Sequence, residues 1–277
     1  MKIIISPAKK MEECQDIFAP GDFPEYLGKT EHLYDKLKMM SEDELKKVFK
    51  ANDQITHQNY ERYQSMNLKR AQSPALLTYV GIQYQYMAPQ LFSYDMWEYV
   101  KKHLRILSGF YGILRPDDRV TLYRLEMQTK LAVNEAKDLY QFWGRSLYDA
   151  LVRGDAAEVG EDWTRDPEAT TGYTILNLAS KEYSKAIEPY LTENDRYVTC
   201  IFGVRDGGKD GQTGENSAGD HGKIKVKATE AKMARGEMVR FMAEKNIIDV
   251  EEIKAFDRLG YRYSELDSDA NTFVYIK

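Results

Sequence analysis

The sequence predicts a mixed α/β fold of the α+β kind: one compact domain over residues 1–277, with packed helices around a mixed sheet. Three observations lead there. Short β-branched or apolar runs such as Ile3-Ile4-Ile5 and Tyr197 to Val204 read as strands. Amphipathic stretches of helical spacing lie between them, but the alternation is irregular, unlike a plain doubly wound sheet. No internal repeat and no interdomain linker breaks the chain.

Taken in order, Ile3 to Ile5 is a buried strand closed by Ser6-Pro7. Residues 27–50 and 55–70 have helical spacing with charged faces. Within the first, Ser41 followed by Glu44 is a capping-box signature that opens a helix at Glu42. Leu76 to Val80 reads as a strand ending at Gly81. Trp97 to Leu107 reads as a helix ended by Ser108-Gly109, and Leu114-Arg115-Pro116 as the start of an extended stretch. Leu139 to Val152 is amphipathic and helical. Tyr173 to Leu178 is a strand, and Ser180 to Tyr190 a helix with Ser180 as its cap. Tyr197 to Val204 is a further strand. Arg205 to Gly222, rich in Gly, Asp and Ser, is expected to be a flexible loop. Lys223 to Ala228 resumes as a strand, Thr229 to Lys245 is a strong helix, and Phe273 to Ile276 closes the chain as a strand.

The hydrophobic fraction of 43% and charged fraction of 30% are those of an ordinary globular protein with material for a core. A net charge of -5 argues against coating DNA with a uniformly basic surface. The charge is uneven, however. Residues 101–153 hold ten Lys or Arg against six Asp or Glu, and residues 223–245 hold seven against three. A focused basic cleft on an acidic body fits that split. Two cysteines, Cys14 and Cys200, fit a reducing compartment without a disulfide framework, and Cys200 sits in an apolar run as a buried thiol. No apolar run reaches the length of a membrane span, and the opening MKIIISPAKK is too short in apolar residues for a signal peptide. The cytoplasm is the resulting expectation, and a monomer is expected besides.

The most informative motif is LRILSGFYGILRP, Leu104 to Pro116, the centre of a helix-hairpin-helix-like segment over residues 98–125. Gly109 and Gly112 bracket a bulky turn, Phe110-Tyr111, where two hydrophobes replace the usual one. Such glycines let a backbone approach a partner, and amides opening the next helix can cradle a phosphate. Arg105 and Arg115 flank the turn. A second basic element follows: Lys223, Lys225 and Lys227 share one strand face, then Lys232, Arg235 and Arg240 lie on a helix, interleaved with Glu230, Glu237 and Glu244. Arg124 and Glu126 share a face of an extended stretch, which also suits a simple ion pair. Phe142 and Trp143 read as core.

Several chemistries are excluded. No glycine-rich loop with a following Lys-Ser/Thr and no nucleophile elbow is present. His32, His57, His103 and His221 lack metal-ligand spacing. Asp206 to Glu215 fails the calcium-loop register. No metal site and no cofactor is expected.

In combination, several motifs resemble the YaaA peroxide-stress protein family. They are Ile5-Ser6-Pro7-Ala8-Lys9, Leu107-Ser108-Gly109 with Tyr111-Gly112, Leu114-Arg115-Pro116 and Tyr123-Arg124-Leu125-Glu126-Met127. Leu139 to Gly144, Asn177 to Ser180 with Glu182-Tyr183, Ala234-Arg235-Gly236 with Arg240-Phe241, and Gly260-Tyr261 continue the series. The resemblance implies a bacterial cytosolic protein of the hydrogen peroxide response that limits peroxide and iron damage to DNA and proteins. It also implies a single mixed domain, a helix-hairpin-helix, a basic cleft and binding of double-stranded DNA. Lys9, Ser108, Gly109, Tyr111, Gly112, Arg115, Arg124 and Arg235, with the neighbourhood of Lys232, fall on matching motifs. The stretch from Arg205 to Gly222 and Met233, where a second basic residue is common, depart from the pattern.

Three readings compete. The first is a DNA-binding stress protein that grips phosphates through Lys9, Arg105, Ser108, Gly109, Tyr111, Gly112, Arg115, Arg124, Lys232 and Arg235. The second is an enzyme acting on a nucleotide or damaged base, with Lys9, Arg124, Glu126 and Lys181 as catalytic candidates beside Ser6, Tyr123, Asn177, Ser180 and Glu182. The third, weaker, is direct iron binding, for which no facial-triad spacing is visible. Convergence of Lys9, Arg115, Arg124, Lys181 and Arg235 on one cleft discriminates a shared site from scattered surface charge.

Overall fold

The fold is described from a computed structural model that covers residues 1–14, 16–153, 172–205 and 223–277. Of the loop expected over residues 205–222, Arg205 ends a strand and the rest lies outside the described residues.

The main sheet contains β1 (Lys2–Ile5), β2 (Leu104–Ser108), β3 (Gly112–Leu114), β4 (Thr174–Leu178), β5 (Arg196–Arg205), β6 (Ile224–Lys225), β7 (Arg262–Tyr263) and β8 (Thr272–Ile276). Its order is β7-β8-β5-β4-β1-β2-β3, with β6 paired to β5. The five central strands β8, β5, β4, β1 and β2 run parallel, and β3, β6 and β7 join antiparallel. Parallel strands buried on both faces need continuous apolar sequence, and β1 (KIII) and β2 (LRILS) are buried at every position. The register pairs Ile3 with Leu104 on one side and with Leu176 on the other, so the three-isoleucine run is the centre of the core. A mixed α/β architecture is thus what the sequence predicted.

The helices are α1 (Leu27–Lys38), α2 (Glu42–Phe49), α3 (Asp53–Ser65), α4 (Ile82–Met87), α5 (Tyr94–His103), α6 (Leu139–Trp143), α7 (Ser146–Arg153) and α8 (Ala228–Lys245), besides single turns. The capping box at Ser41 and Glu44 forms as expected. Helix α2 ends at Lys50 in the left-handed region, and Asn52 caps α3 by accepting the Ile55 amide at 2.9 Å. The expected helix over 139–152 is two helices, broken at Gly144, whose φ is 51°.

Four further expectations need correction. The segment Leu104 to Pro116 is not a helix-hairpin-helix. Helix α5 stops at His103, and β2 and β3 form an antiparallel β-hairpin with Ser108 opposite Gly112. A short run of five residues, all buried, has no period by which to separate a helix from a strand, and pairing with β1 decides it. Leu76 to Thr78 is a helical turn, with only Tyr79–Val80 extended and paired to Lys10–Met11. The helix expected from Ser180 to Tyr190 is one turn, Lys181–Ser184, then a 3-10 turn whose first residues include Pro189. That proline has no amide to continue an α-helix. The strand expected over Lys223 to Ala228 is reduced to Ile224–Lys225, because α8 already begins at Ala228.

Candidate functional site

The direction of chain travel creates a crevice. From β1 the chain reaches β2 on one side, whereas β4 leads on to β5 and β8 on the other. Loops leaving the carboxyl ends of β1 and β4 therefore diverge, and open parallel sheets bind ligands at such a point. A cavity of about 410 Å³ opens there, lined by the loop after β1, the start of α4, the segment 123–126, the turn after β4 and one face of α8.

Backbone and side-chain bonds fix each wall. Ser6 Oγ accepts the Ser180 amide at 2.8 Å and lies 3.2 Å from Ser180 Oγ, tying the two strand-end loops together. The Tyr84 hydroxyl donates to the Ser6 carbonyl at 2.9 Å and brings in α4. Segment 123–126 is held from behind by the Tyr63 hydroxyl, which donates to the Arg124 carbonyl at 3.0 Å. Helix α8 closes the far side through a near-backbone contact. A Cβ on Gly236 would stand 2.1 Å from the Gln83 carbonyl, so only glycine allows α8 to lie against α4. That approach sets Lys232 and Arg235, one helical turn apart, on the cavity wall beside Gln83.

The lining carries Lys9, Lys10, Arg124, Lys232 and Arg235 against two carboxylates, Glu126 and Glu182. Glu126 is the hub: it accepts from Lys9 Nζ and from Arg124 Nη2, each at 2.9 Å. Lys9 keeps 66% of its side chain exposed, and the partly buried ends are Glu126 at 17% and Arg124 at 12%. Arg124 Nε is buried without an acceptor. Arg235 has a buried Nε that also lacks one, and no ion pair with a described carboxylate is present. Burial lowers the Arg235 guanidinium from its ordinary value. The Glu182 carboxyl is pushed up by burial and by the nearby Glu126, partly offset by the Gln128 amide and Lys9. Tyr84, Tyr123 and Tyr183, all buried, supply flat apolar surface to the same walls.

Of the five residues expected to converge, Lys9, Arg124 and Arg235 do so and Arg115 and Lys181 do not; the other candidates Lys232, Glu126, Ser6, Tyr123, Ser180 and Glu182 line the same cavity. Arg115 lines a separate cavity of about 430 Å³ with Arg105, Asp118 and Arg153. Lys181 is drawn outward to Glu188 at 2.7 Å. Ser108, Gly109, Tyr111 and Gly112 are buried, so their amides face protein rather than an incoming phosphate. Ser108 Oγ accepts the amides of Phe110 and Tyr111 at 3.1 and 2.9 Å and lies 2.6 Å from the Tyr123 hydroxyl. With both lone pairs taken, its proton goes to Tyr123, whose hydroxyl lies 2.7 Å from that of Tyr79. Arg105 donates to the carbonyls of Lys101 and Leu104. The hairpin is a packing device that supports the crevice from below.

Sequence reasoning missed Lys10, Gln83, Tyr84 and Tyr183. The usable signal was Gly81, which ends an apolar run just before the tyrosine-rich stretch Ile82 to Met87. Among the described residues no cluster of three or more His, Cys, Asp or Glu could hold a metal ion, and no helix is long and apolar enough to cross a membrane.

The fold and crevice define a mixed α/β protein with a basic, tyrosine-walled cavity at the carboxyl edge of its parallel strands. The chain belongs to the YaaA peroxide stress protein family: the family model described as peroxide stress protein YaaA matches residues 1–266. It is 50% identical over 278 residues to a UPF0246 protein of Desulfitobacterium hafniense, covering all of this chain and 98% of that one. It is 47% identical to one from Lachnoclostridium phytofermentans, covering 100% and 96%, and 44% identical to one from Pediococcus pentosaceus, covering 100% and 98%.

Proposed function

We propose that this peroxide stress family member binds double-stranded DNA through its phosphates and thereby protects DNA under peroxide stress in the cytoplasm. The observation that carries the reading is the gathering of Lys9, Lys10, Arg124, Lys232 and Arg235 around one crevice, on a chain whose net charge is -5. A local positive field on an acidic body steers a polyanion to one place and repels it elsewhere. Lys9, Lys10 and Lys232 are exposed at the rim, where long flexible ammonium groups reach backbone phosphates without reading bases. The exposed Lys223, Lys225 and Lys227 lie N-terminal to the same helix and extend the basic surface, although Lys227 is shared with Glu230. The hairpin plays no part in contact. Its role is to hold Tyr123 and the 123–126 segment in place.

Binding of this kind releases counterions. Duplex affinity measured by fluorescence anisotropy falls steeply between about 50 and about 200 mM salt, with little difference between unrelated sequences. A salt-independent affinity, or no binding at low salt, contradicts the reading.

A further inference from the structure

The rim explains capture of a polyanion, but the interior of the cavity holds more charge than capture needs. Arg235 is partly enclosed by α8, α4 and the cavity wall, and no described carboxylate neutralises it. Arg124 shares Glu126 with Lys9, so one carboxylate serves two cations. Gln83 Nε2 is a third buried donor without an acceptor. These three side chains line the same cavity. Proteins rarely retain desolvated donors without acceptors, because each costs free energy that nothing in the unliganded fold returns. Donors without acceptors call for a ligand that is all acceptor and negatively charged, and two guanidinium groups match the oxygens of a phosphate.

The remaining wall is apolar. Pro7, Ile82 and Leu125 join Tyr84, Tyr123 and Tyr183. The tyrosine hydroxyls are already engaged: Tyr84 donates to the Ser6 carbonyl, and Tyr123 sits between Ser108 and Tyr79. What they offer the cavity is ring carbon rather than free polar atoms, suited to an aromatic heterocycle. A volume of about 410 Å³ accommodates one such ring with a sugar and a phosphate.

We infer that the cavity is a binding site for a single nucleoside 5′-phosphate unit, its phosphate against Arg124 and Arg235 and its base against the tyrosine wall. The unit comes either from solution or from a strand by turning one nucleotide out of the stack. This inference rests on the reading of the crevice as a nucleic-acid site, but its residues lie inside, whereas duplex capture uses the rim lysines.

Isothermal titration of the full chain with adenosine 5′-monophosphate, inorganic phosphate and adenosine tests it. The inference expects the monophosphate to bind more tightly than either fragment. Arg235→Met is expected to weaken that binding by roughly tenfold to a hundredfold, the range for losing a charge-assisted hydrogen bond. The same substitution removes an unneutralised buried charge, so its melting temperature should equal or exceed that of the unsubstituted protein. Arg124→Lys, which keeps the Glu126 partner, should show a smaller loss and guards against a folding artefact. The second arm places 2-aminopurine opposite a mismatch in a duplex. Brightening with the unsubstituted protein but not with Arg235→Met assigns the strand as the source, and monophosphate binding without brightening assigns the free nucleotide. Failure of both arms overturns the inference. So does equal affinity for monophosphate and inorganic phosphate, or unchanged monophosphate binding by Arg235→Met. Salt-dependent duplex binding that survives those failures leaves the rim reading standing. Loss of duplex binding with monophosphate binding intact removes the rim reading alone.

Discussion

Ser6 Oγ stands 2.8 Å from the Ser180 amide and joins the carboxyl ends of two neighbouring parallel strands, β1 and β4. The two residues are far apart in sequence, and no local signal connects them. Their bond closes the floor of the crevice at the point where the strand connections diverge. Ser6→Ala leaves the Ser180 amide without its acceptor and should cost about 1 to 2 kcal/mol. Urea denaturation of the variant should show a lower midpoint with an unchanged slope. An unchanged midpoint would mean that the bond contributes nothing to the site's frame.

The glycines of the β2–β3 hairpin are a test of packing against contact. A Cβ on Gly109 would lie 2.6 Å from the Leu125 carbonyl and 2.9 Å from the Glu126 carbonyl carbon, both backbone atoms that cannot step aside. Trp143 Nε1 also donates to the Gly109 carbonyl at 3.0 Å, fixing the turn from its other side. Gly109→Ala should destabilise the fold by about 3 kcal/mol through overpacking. Below its melting range the variant should keep the salt slope of duplex binding. Normal stability with lost DNA binding would return the hairpin to the role of phosphate contact.

How far the sequence speaks for itself differs between fold and site. The run Ile3 to Ile5 announces a buried strand, and the Ser41–Glu44 spacing announces a cap, because both signals are local and both form. The LRILS run is equally local yet ambiguous: its burial on both faces removes the polar alternation that would identify a strand. Gly109 shows why a glycine's meaning needs tertiary context, since close packing and exposed amides favour the same residue. The cations Lys9, Arg124 and Arg235 stand out in the resemblance to a family. Gln83 and Tyr84 do not, because only the close contact of α4 with α8 turns them toward the cavity.

The second cavity supplies a pH test. Burial pushes the Asp118 carboxyl up to about 7, with Asp117 adding to the rise and the Arg115 amide opposing it. The ordinary carboxyl titrates near pH 4 in an unfolded chain, so between about pH 4 and about pH 7 the folded state holds the extra proton. The contribution to stability is therefore present at low pH and is lost as pH rises through about 7. Asp118→Asn keeps an oxygen for the Arg115 amide, which Asp118 Oδ2 now accepts at 2.8 Å, and removes the charge. Its stability should fall less than that of the unsubstituted protein between about pH 4 and about pH 7, by an amount on the order of a few kcal/mol. Parallel stability curves for the two proteins would refute this assignment.

Capture of duplex DNA at the crevice rim is tested most directly by comparing two pairs of charge removals in salt-titrated anisotropy. Lys9→Met with Lys232→Met removes two rim cations, whereas Arg115→Met with Lys181→Met removes two that lie away from the crevice. The rim pair should lower affinity and reduce the slope of log affinity against log salt by about 2, near 0.9 for each phosphate no longer neutralised. The distant pair should leave both quantities unchanged. Equal losses in the two pairs, or a loss confined to Arg115 and Lys181, would contradict the crevice as the site of DNA capture.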